Sequence, residues 1–424
     1  MVKELEILTE QLRSPDEETR RLAVVGFSGY PFEQVKDALF SAMGDESWRV
    51  RKEAVDTLLA IPFTPDIAEA LIQMLRSQDN AGMRNSAVET LERLGGIALP
   101  TLSSYIDDDD QDVRKFVIDI MGVVCDPDTV PLLIKALSDP DPNVCAAAAE
   151  NLGKIGDARS MPYLLRALEK PELWLRYAIL EALSKIGKPV PFSSVAPLAG
   201  ENFLKKAVFD CLGVIGDSEA IPLLIDGLQE RARSNREAAA IALMKIKERL
   251  PPDALQSSLV MPLKSLAGTT VVDGLVASLE ASDKSLKESI VTILGMIGDT
   301  RAIGYLLHGC RDDRLRQQCL VAFRNMGDGG INSLLEVFSS ADDDERCLIV
   351  YVCGELGCRE CEPQLREGMH DPYYLLRKVA VIAAGKIGLT GVIGEIAYLL
   401  DDTEPEVRDS AIEVLSRFAK EDAE

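Results

Sequence analysis

Aromatic side chains make up only 5% of this 424-residue chain, although 47% of it is hydrophobic. An apolar inventory of Ala, Leu, Ile and Val with few rings argues against one deep core and for thin, repeated helix–helix layers. Cations are also short: 46 Lys and Arg face 69 Asp and Glu, a net charge of −23. A surface that neutralises many phosphates needs a concentrated cationic footprint, so no nucleic acid is expected as a partner, and no anionic membrane surface. No window approaches about 18 uninterrupted apolar residues, so no membrane span is expected. The opening Met1-Val2-Lys3-Glu4-Leu5 runs into an acidic amphipathic pattern without an apolar leader, so the nine cysteines are expected to be reduced thiols in the cytoplasm. The charge balance favours proteins or peptides with neutral or basic faces as partners.

What the chain does have is a repeat. Aligning a position that is usually basic gives Arg20, Arg51, Arg84, Arg114, Cys145, Arg176, Lys205, Arg236, Lys287, Arg316, Arg346, Arg377 and Arg408. Successive spacings run from 29 to 33, apart from one of 51 between Arg236 and Lys287. That regularity predicts about thirteen copies of one unit and puts an insertion between Ile246 and Val271. Val130-Pro131-Leu132-Leu133-Ile134 and Ile221-Pro222-Leu223-Leu224-Ile225 read as the start of a first helix, with proline in the first turn, where its missing N–H costs nothing. A second helix opens after an Asp-rich turn such as Asp141-Pro142 or Asp371-Pro372, where Asp can cap free N–H groups. It closes at Gly-x-Ile-Gly-Asp, at 153–157 and 295–299, and the final Gly suits the left-handed residue beyond a helix end. Val144, Ala148, Leu152 and Ile155 recur at spacings of 4, 4 and 3, a helical period. Neither helix can bury its face alone, so neighbouring pairs must stack.

The run Asp-Pro-x-Val-Arg-x-x-Ala-x-x-x-Leu-Gly-x-Ile-Gly-Asp resembles the HEAT-like repeats first named for phycobilisome lyases, over nearly the whole chain from about Leu5 to Phe418. The resemblance and the period together predict an all-α fold, an α-solenoid of about thirteen HEAT-like helix-pair repeats forming a curved superhelix with second helices on the concave side. The resemblance also implies a structural acid–base ladder between repeats, carried here by Arg51, Arg84, Arg114, Arg176, Arg236, Arg316, Arg377 and Arg408. About function it is less specific, because the family spans bilin attachment, signalling scaffolds and enzymes. The di-iron hydroxylases of this repeat class need several His-Glu pairs, but His308 and His370 are the only histidines and neither precedes Glu. The DNA glycosylases of this class need a basic groove, which a chain of this charge lacks. The enzymatic alternative that remains is a bilin lyase, for which Trp174, Tyr177 and Tyr351 are the candidate groove residues.

Function is sought where one face changes while the frame holds. Five residues after the basic position stand Asp56, Glu89, Asp119, Glu150, Glu181 and Asp210 in six successive repeats. Bases four residues on (Arg93, Lys154 and Lys185) pair this face internally as a solvated surface, which either takes a basic peptide or serves solubility alone. The next five repeats carry Ile241, Thr292, Val321, Tyr351 and Ile382, with Met296, Gln317, Asn325 and Cys347 alongside. Such an apolar stripe marks a contact site unless tighter curling buries it. The chain thus divides into N-terminal repeats with an acidic face (1–246), an insertion (247–271) with a short extra helix over 253–264, and C-terminal repeats with the stripe (272–424). The insertion is a kink, an overhang on the groove or a plain spacer.

Cys347, Cys353, Cys358 and Cys361 cluster in sequence, and four thiolates at such spacings bind zinc or an iron–sulfur cluster. Cys353, however, falls where Ala384 stands in the next repeat, which makes it a core residue. Only Cys358 and Cys361, in the turn between helices, look free to ligate or pair. No nucleophile–base pair or phosphate loop is visible, so no catalytic residue, cofactor or metal is assigned and a small-molecule substrate is not expected. The sequence reads as a non-enzymatic scaffold or adaptor, of a regulatory or signalling kind if the repeat class is the guide. It binds a protein or peptide through Ile241, Thr292, Met296, Val321, Tyr351 and Ile382.

Overall fold

The computed structural model describes residues 2–280 and 283–421, and every regular element among them is helical. Thirteen second helices, each holding one aligned position, are numbered here in chain order. They are α1 (Glu17–Gly26), α2 (Trp48–Leu59), α3 (Ala81–Leu94), α4 (Gln111–Val124), α5 (Pro142–Ile155), α6 (Leu173–Ile186) and α7 (Lys205–Ile215). They continue as α8 (Arg233–Lys247), α9 (Lys284–Ile297), α10 (Arg316–Glu336), α11 (Asp343–Leu356), α12 (Tyr374–Ile387) and α13 (Pro405–Glu421). The long α10 holds two helices, because Gly327 at φ 63° and ψ −155° breaks it into a second helix and the start of the next repeat. By compactness the chain falls into two units, Met1–Cys211 and Leu212–Glu424.

Local chemistry explains each turn. Asp141 accepts hydrogen bonds from the amides of Asn143 at 2.8 Å and Val144 at 3.3 Å, capping α5, an arrangement worth about 1 kcal/mol. At the other end of such helices the chain turns left-handed, with φ 75° at Gly156 and 74° at Gly298. Cys125 does the same at φ 56°, the one non-glycine to do so among the described residues. The first glycine of Gly-x-Ile-Gly has a separate function. A Cβ on Gly153 would lie 2.7 Å from Ala182 Cα, and one on Gly295 would lie 2.5 Å from Ala322 Cα. Successive second helices therefore touch backbone to backbone at this joint, while Val144, Ala148 and Leu152 fill the layer beside it.

The arginines of the expected ladder fall into two groups. Arg114 holds Asp139 through two bonds of 2.8 and 2.9 Å, and Arg377 holds Asp402 through two of 2.7 and 2.8 Å. Both also donate to carbonyls of their own turn, as Arg377 does to Asp371 O at 2.9 Å. Arg51, Arg84, Arg176, Arg236, Arg316 and Arg408 donate to own-turn carbonyls, and none of them pairs with an acid of the next repeat among the described residues. An acid 25 positions on is needed but not enough: Arg114 and Arg377 have Asp there, while Arg76 follows Arg51 and Ala341 follows Arg316, yet Arg84 and Arg176 stay on their own turns with Asp109 and Glu201 in that place. Arg20 and Arg346 have that Asp, as Asp45 and Asp371, and pair with it.

Residues 252–264 form one helical run made of Pro252–Ala254, a wide-turned Leu255–Val260 and Met261–Lys264. It precedes the helix Thr270–Leu279, and its last turn packs against α9. Asp299 ties the following turn down by accepting from the Gly268 amide at 2.7 Å, while Arg301 donates to Thr269 O at 2.8 Å.

Candidate functional site

Three of the six stripe residues come together. A cavity of about 510 Å³ in the second unit is lined by Thr292 and Met296 of α9 and by Gln317, Gln318, Val321 and Asn325 of α10. Its opposite wall is Lys247 at the end of α8 with Leu255, Gln256, Val260 and Lys264 of the insertion. Ile241, Tyr351 and Ile382 do not line it. Val321 is 44% exposed at its mouth, but Met296 is only 5% exposed and is not the surface residue the repeat frame implies. Equivalent positions carry the exposed Arg93 and Lys185. Met296 is covered because the insertion's helix lies across it.

The lining is cationic in an acidic chain: two lysines and no carboxylate. Thr292 donates internally, to Glu288 O at 2.7 Å. Gln318 reaches Glu288 through its amide nitrogen at 3.4 Å, and its buried Oε1 has no hydrogen-bond donor among the described residues. Burial of such an acceptor without a donor is costly. Beyond the cleft, Tyr351 is half-buried with the Arg316 guanidinium 6.0 Å and the Lys386 ammonium 5.9 Å from its ring centre, and burial pushes its hydroxyl pKa up. Cys347 is half-buried, its thiol pushed up to about 11 by burial and then by Asp344 and Asp343. Ile382 sits at the exposed edge of α12.

The first unit presents four of its six face acids already partnered. Arg93 bonds Asp56 of the preceding repeat at 2.6 Å and reaches Glu89 at 3.5 Å. Asp119 pairs with Lys115 and Asp210 with Lys206, at 2.7 and 2.6 Å. The expected Glu150–Lys154 pair does not form, because Lys154 donates to Asn151 at 2.9 Å and the buried Asn151 is itself held by Ile118 O. Trp174 and Tyr177 belong to an exposed aromatic patch with Phe203, a residue that periodicity does not single out; Trp174 meets Phe203 edge-on at 4.9 Å. Tyr351 is no part of it.

The thiols of Cys358 and Cys361 are not free at the surface. Cys353, Cys358 and Cys361 are 1, 4 and 1% exposed, and their sulfurs all lie within 4.8 Å of one another. The short helix Arg359–Cys361 folds the turn back onto the end of α11, which buries positions that look like loop in the sequence. The neighbouring Cys358 and Cys361 thiols, and then burial, push the Cys353 thiol pKa up, while Cys353 lowers that of Cys358. Cys347 is outside the group.

No helix among the described residues is long and apolar enough to cross a membrane. A family model described as HEAT repeats matches residues 5–92, 99–184 and 331–416, more than half of the chain. No curated protein matches. Among solved structures, importin beta aligns over 98% of this chain and 69% of its own, at 14% identity and a TM-score of 0.48. Kap121p aligns over 99% of this chain at 15% identity and a TM-score of 0.44, and the chain spans only 54% of its length. An engineered protein aligns over 98% of this chain and 99% of its own, at 18% identity and a TM-score of 0.29.

Proposed function

The chain belongs to the HEAT-repeat family, and from that premise we propose that it is a non-enzymatic protein-binding scaffold whose principal site is the cleft between the insertion and helices α9 and α10. The observation that carries the reading is the lining itself. Leu255, Val260, Met296 and Val321 offer apolar contact, and Lys247 and Lys264 offer charge. That set suits a short apolar peptide segment bearing a carboxylate, although the whole-chain charge of −23 favours basic partners. The insertion is then the second wall of the site. Nine cysteines with no disulfide among the described residues fit a reducing cytosol.

The test is peptide display against the immobilised full chain. Selected peptides should combine apolar residues with Asp or Glu, and Val321→Glu and Lys264→Glu should each weaken them by about tenfold or more, the effect of losing one hot-spot contact. Selection of basic peptides, or binding unchanged in both variants with unchanged helical circular dichroism, would refute the site.

A further inference from the structure

The turn after α11 departs from the repeat frame at three positions, and all three departures are cysteines that converge. In four other turns of the same form, the place of Cys353 is taken by Met121, Leu152, Leu212 or Leu294, all buried apolar residues. The place of Cys358 is taken by Asp126, Asp157, Asp217 or Asp299, each of which accepts a hydrogen bond from the amide two residues on. The place of Cys361 is taken by Thr129, Ser160, Ala220 or Ala302. Cys358 makes no such cap. This turn therefore gives up a cap and core volume that those four keep, and gains three buried sulfurs within 4.8 Å of one another.

We propose that Cys353, Cys358 and Cys361 form a binding site for one soft d10 cation, zinc(II), with an oxygen as fourth ligand. Zinc–thiolate bonds of about 2.3 Å in a tetrahedron put sulfurs roughly 3.8 Å apart, so the cluster closes on a metal by side-chain adjustment alone. The exposed Glu360 supplies the oxygen by rotating inward: its Oε2 accepts from Cys358 Sγ at 3.3 Å but does not lie within 4.8 Å of all three sulfurs. Three thiolates select zinc or copper(I) over calcium or magnesium, and the carboxylate tilts the set toward zinc. Binding is a proton exchange: Zn²⁺ enters, three thiols lose three protons, and no electron is transferred. The ion ties the end of α11 to the helix Glu362–Met369, the connection that an Asp cap makes in the other turns.

The experiment uses the full chain, purified under reducing conditions, for metal analysis and then titrated with Co²⁺ as a coloured substitute for zinc. About one equivalent of zinc and an intense thiolate-to-Co²⁺ charge-transfer band are expected. Cys358→Asp, which installs the cap of the other turns and keeps the fold, should lower affinity by more than about 100-fold, because loss of even an outer-shell partner costs 10–100-fold. Cys353→Leu should do the same, and Cys145→Ala should leave the band intact. Three outcomes would overturn the site: no stoichiometric band, a band undiminished in Cys358→Asp, or a Cys358–Cys361 disulfide in the chain as isolated.

Discussion

Apart from the end repeats, which carry Val25 and Glu413, the position five residues beyond the repeat's basic residue differs between the two units. In the first it carries Asp56, Glu89, Asp119, Glu150, Glu181 and Asp210, several of them engaged by Arg93, Lys115 and Lys206. In the second it carries Thr292, Val321, Tyr351 and Ile382, and the helix 252–264 crosses the neighbouring positions. Beneath that surface the two units are built alike: Asp caps, left-handed helix ends, glycine–alanine joints and arginines clamped to their own turns. Stability resides in parts that both units keep, and recognition can vary on a surface that contributes little to it.

The sharpest way to break this comparison is at the ladder, where the likeness should hold across units but not across arginines. Arg114→Met and Arg377→Met should each cost about 3 kcal/mol, because each strands a nearly buried aspartate. Arg51→Met, whose lost partners are carbonyls, should cost distinctly less. Urea unfolding of the three variants checks this, and equal losses would show that the acid 25 residues on is immaterial. A smaller effect separates the units by pH. Asp299 is held well below the usual carboxylate range, first by Arg301 and then by the Gly268 and Arg301 amides. A depressed folded pKa stabilises fully above the unfolded value near 4 and is lost as pH falls below it. Acidification from pH 5 toward 2 should therefore loosen residues 265–275 early in hydrogen exchange, and Asp299→Asn should remove that sensitivity. The smallest effect is expected on the exposed face: Asp119→Val and Val321→Glu should each leave stability within about 0.5 kcal/mol, with only the second altering peptide binding.

Much of this architecture is legible in the sequence, because a period of about thirty residues and its glycine and aspartate punctuation depend only on local chemistry. The excess of residues between Arg236 and Lys287 also locates the insertion. What that insertion covers is not legible: in the frame Met296 aligns with solvated Arg93 and Lys185, and only the tertiary path of 252–264 makes it the floor of a cleft. The cysteine turn was half readable. Position 361 aligns with Ser160, which is fully buried, but burial of position 358 depends on how the short helix 359–361 folds back. The ladder's unevenness is only partly legible at the twenty-fifth residue: Arg76 and Ala341 stand there instead of aspartate, but Asp109 and Glu201 also stand there without pairing to Arg84 and Arg176.

The glycine joint has a consequence for how such a chain changes length. Gly153 meets Ala182, Gly213 meets Ala242 and Gly354 meets Ala383, each partner 29 residues further along. Because these joints present the same pair of small surfaces, unlike Gly122 against Asn151 or Gly385 against Val414, an in-frame excision or duplication running between them rejoins matching faces. Length is then a quantity that recombination can alter in whole steps, while chemistry added between steps, such as the twenty extra residues before α9, is inherited separately.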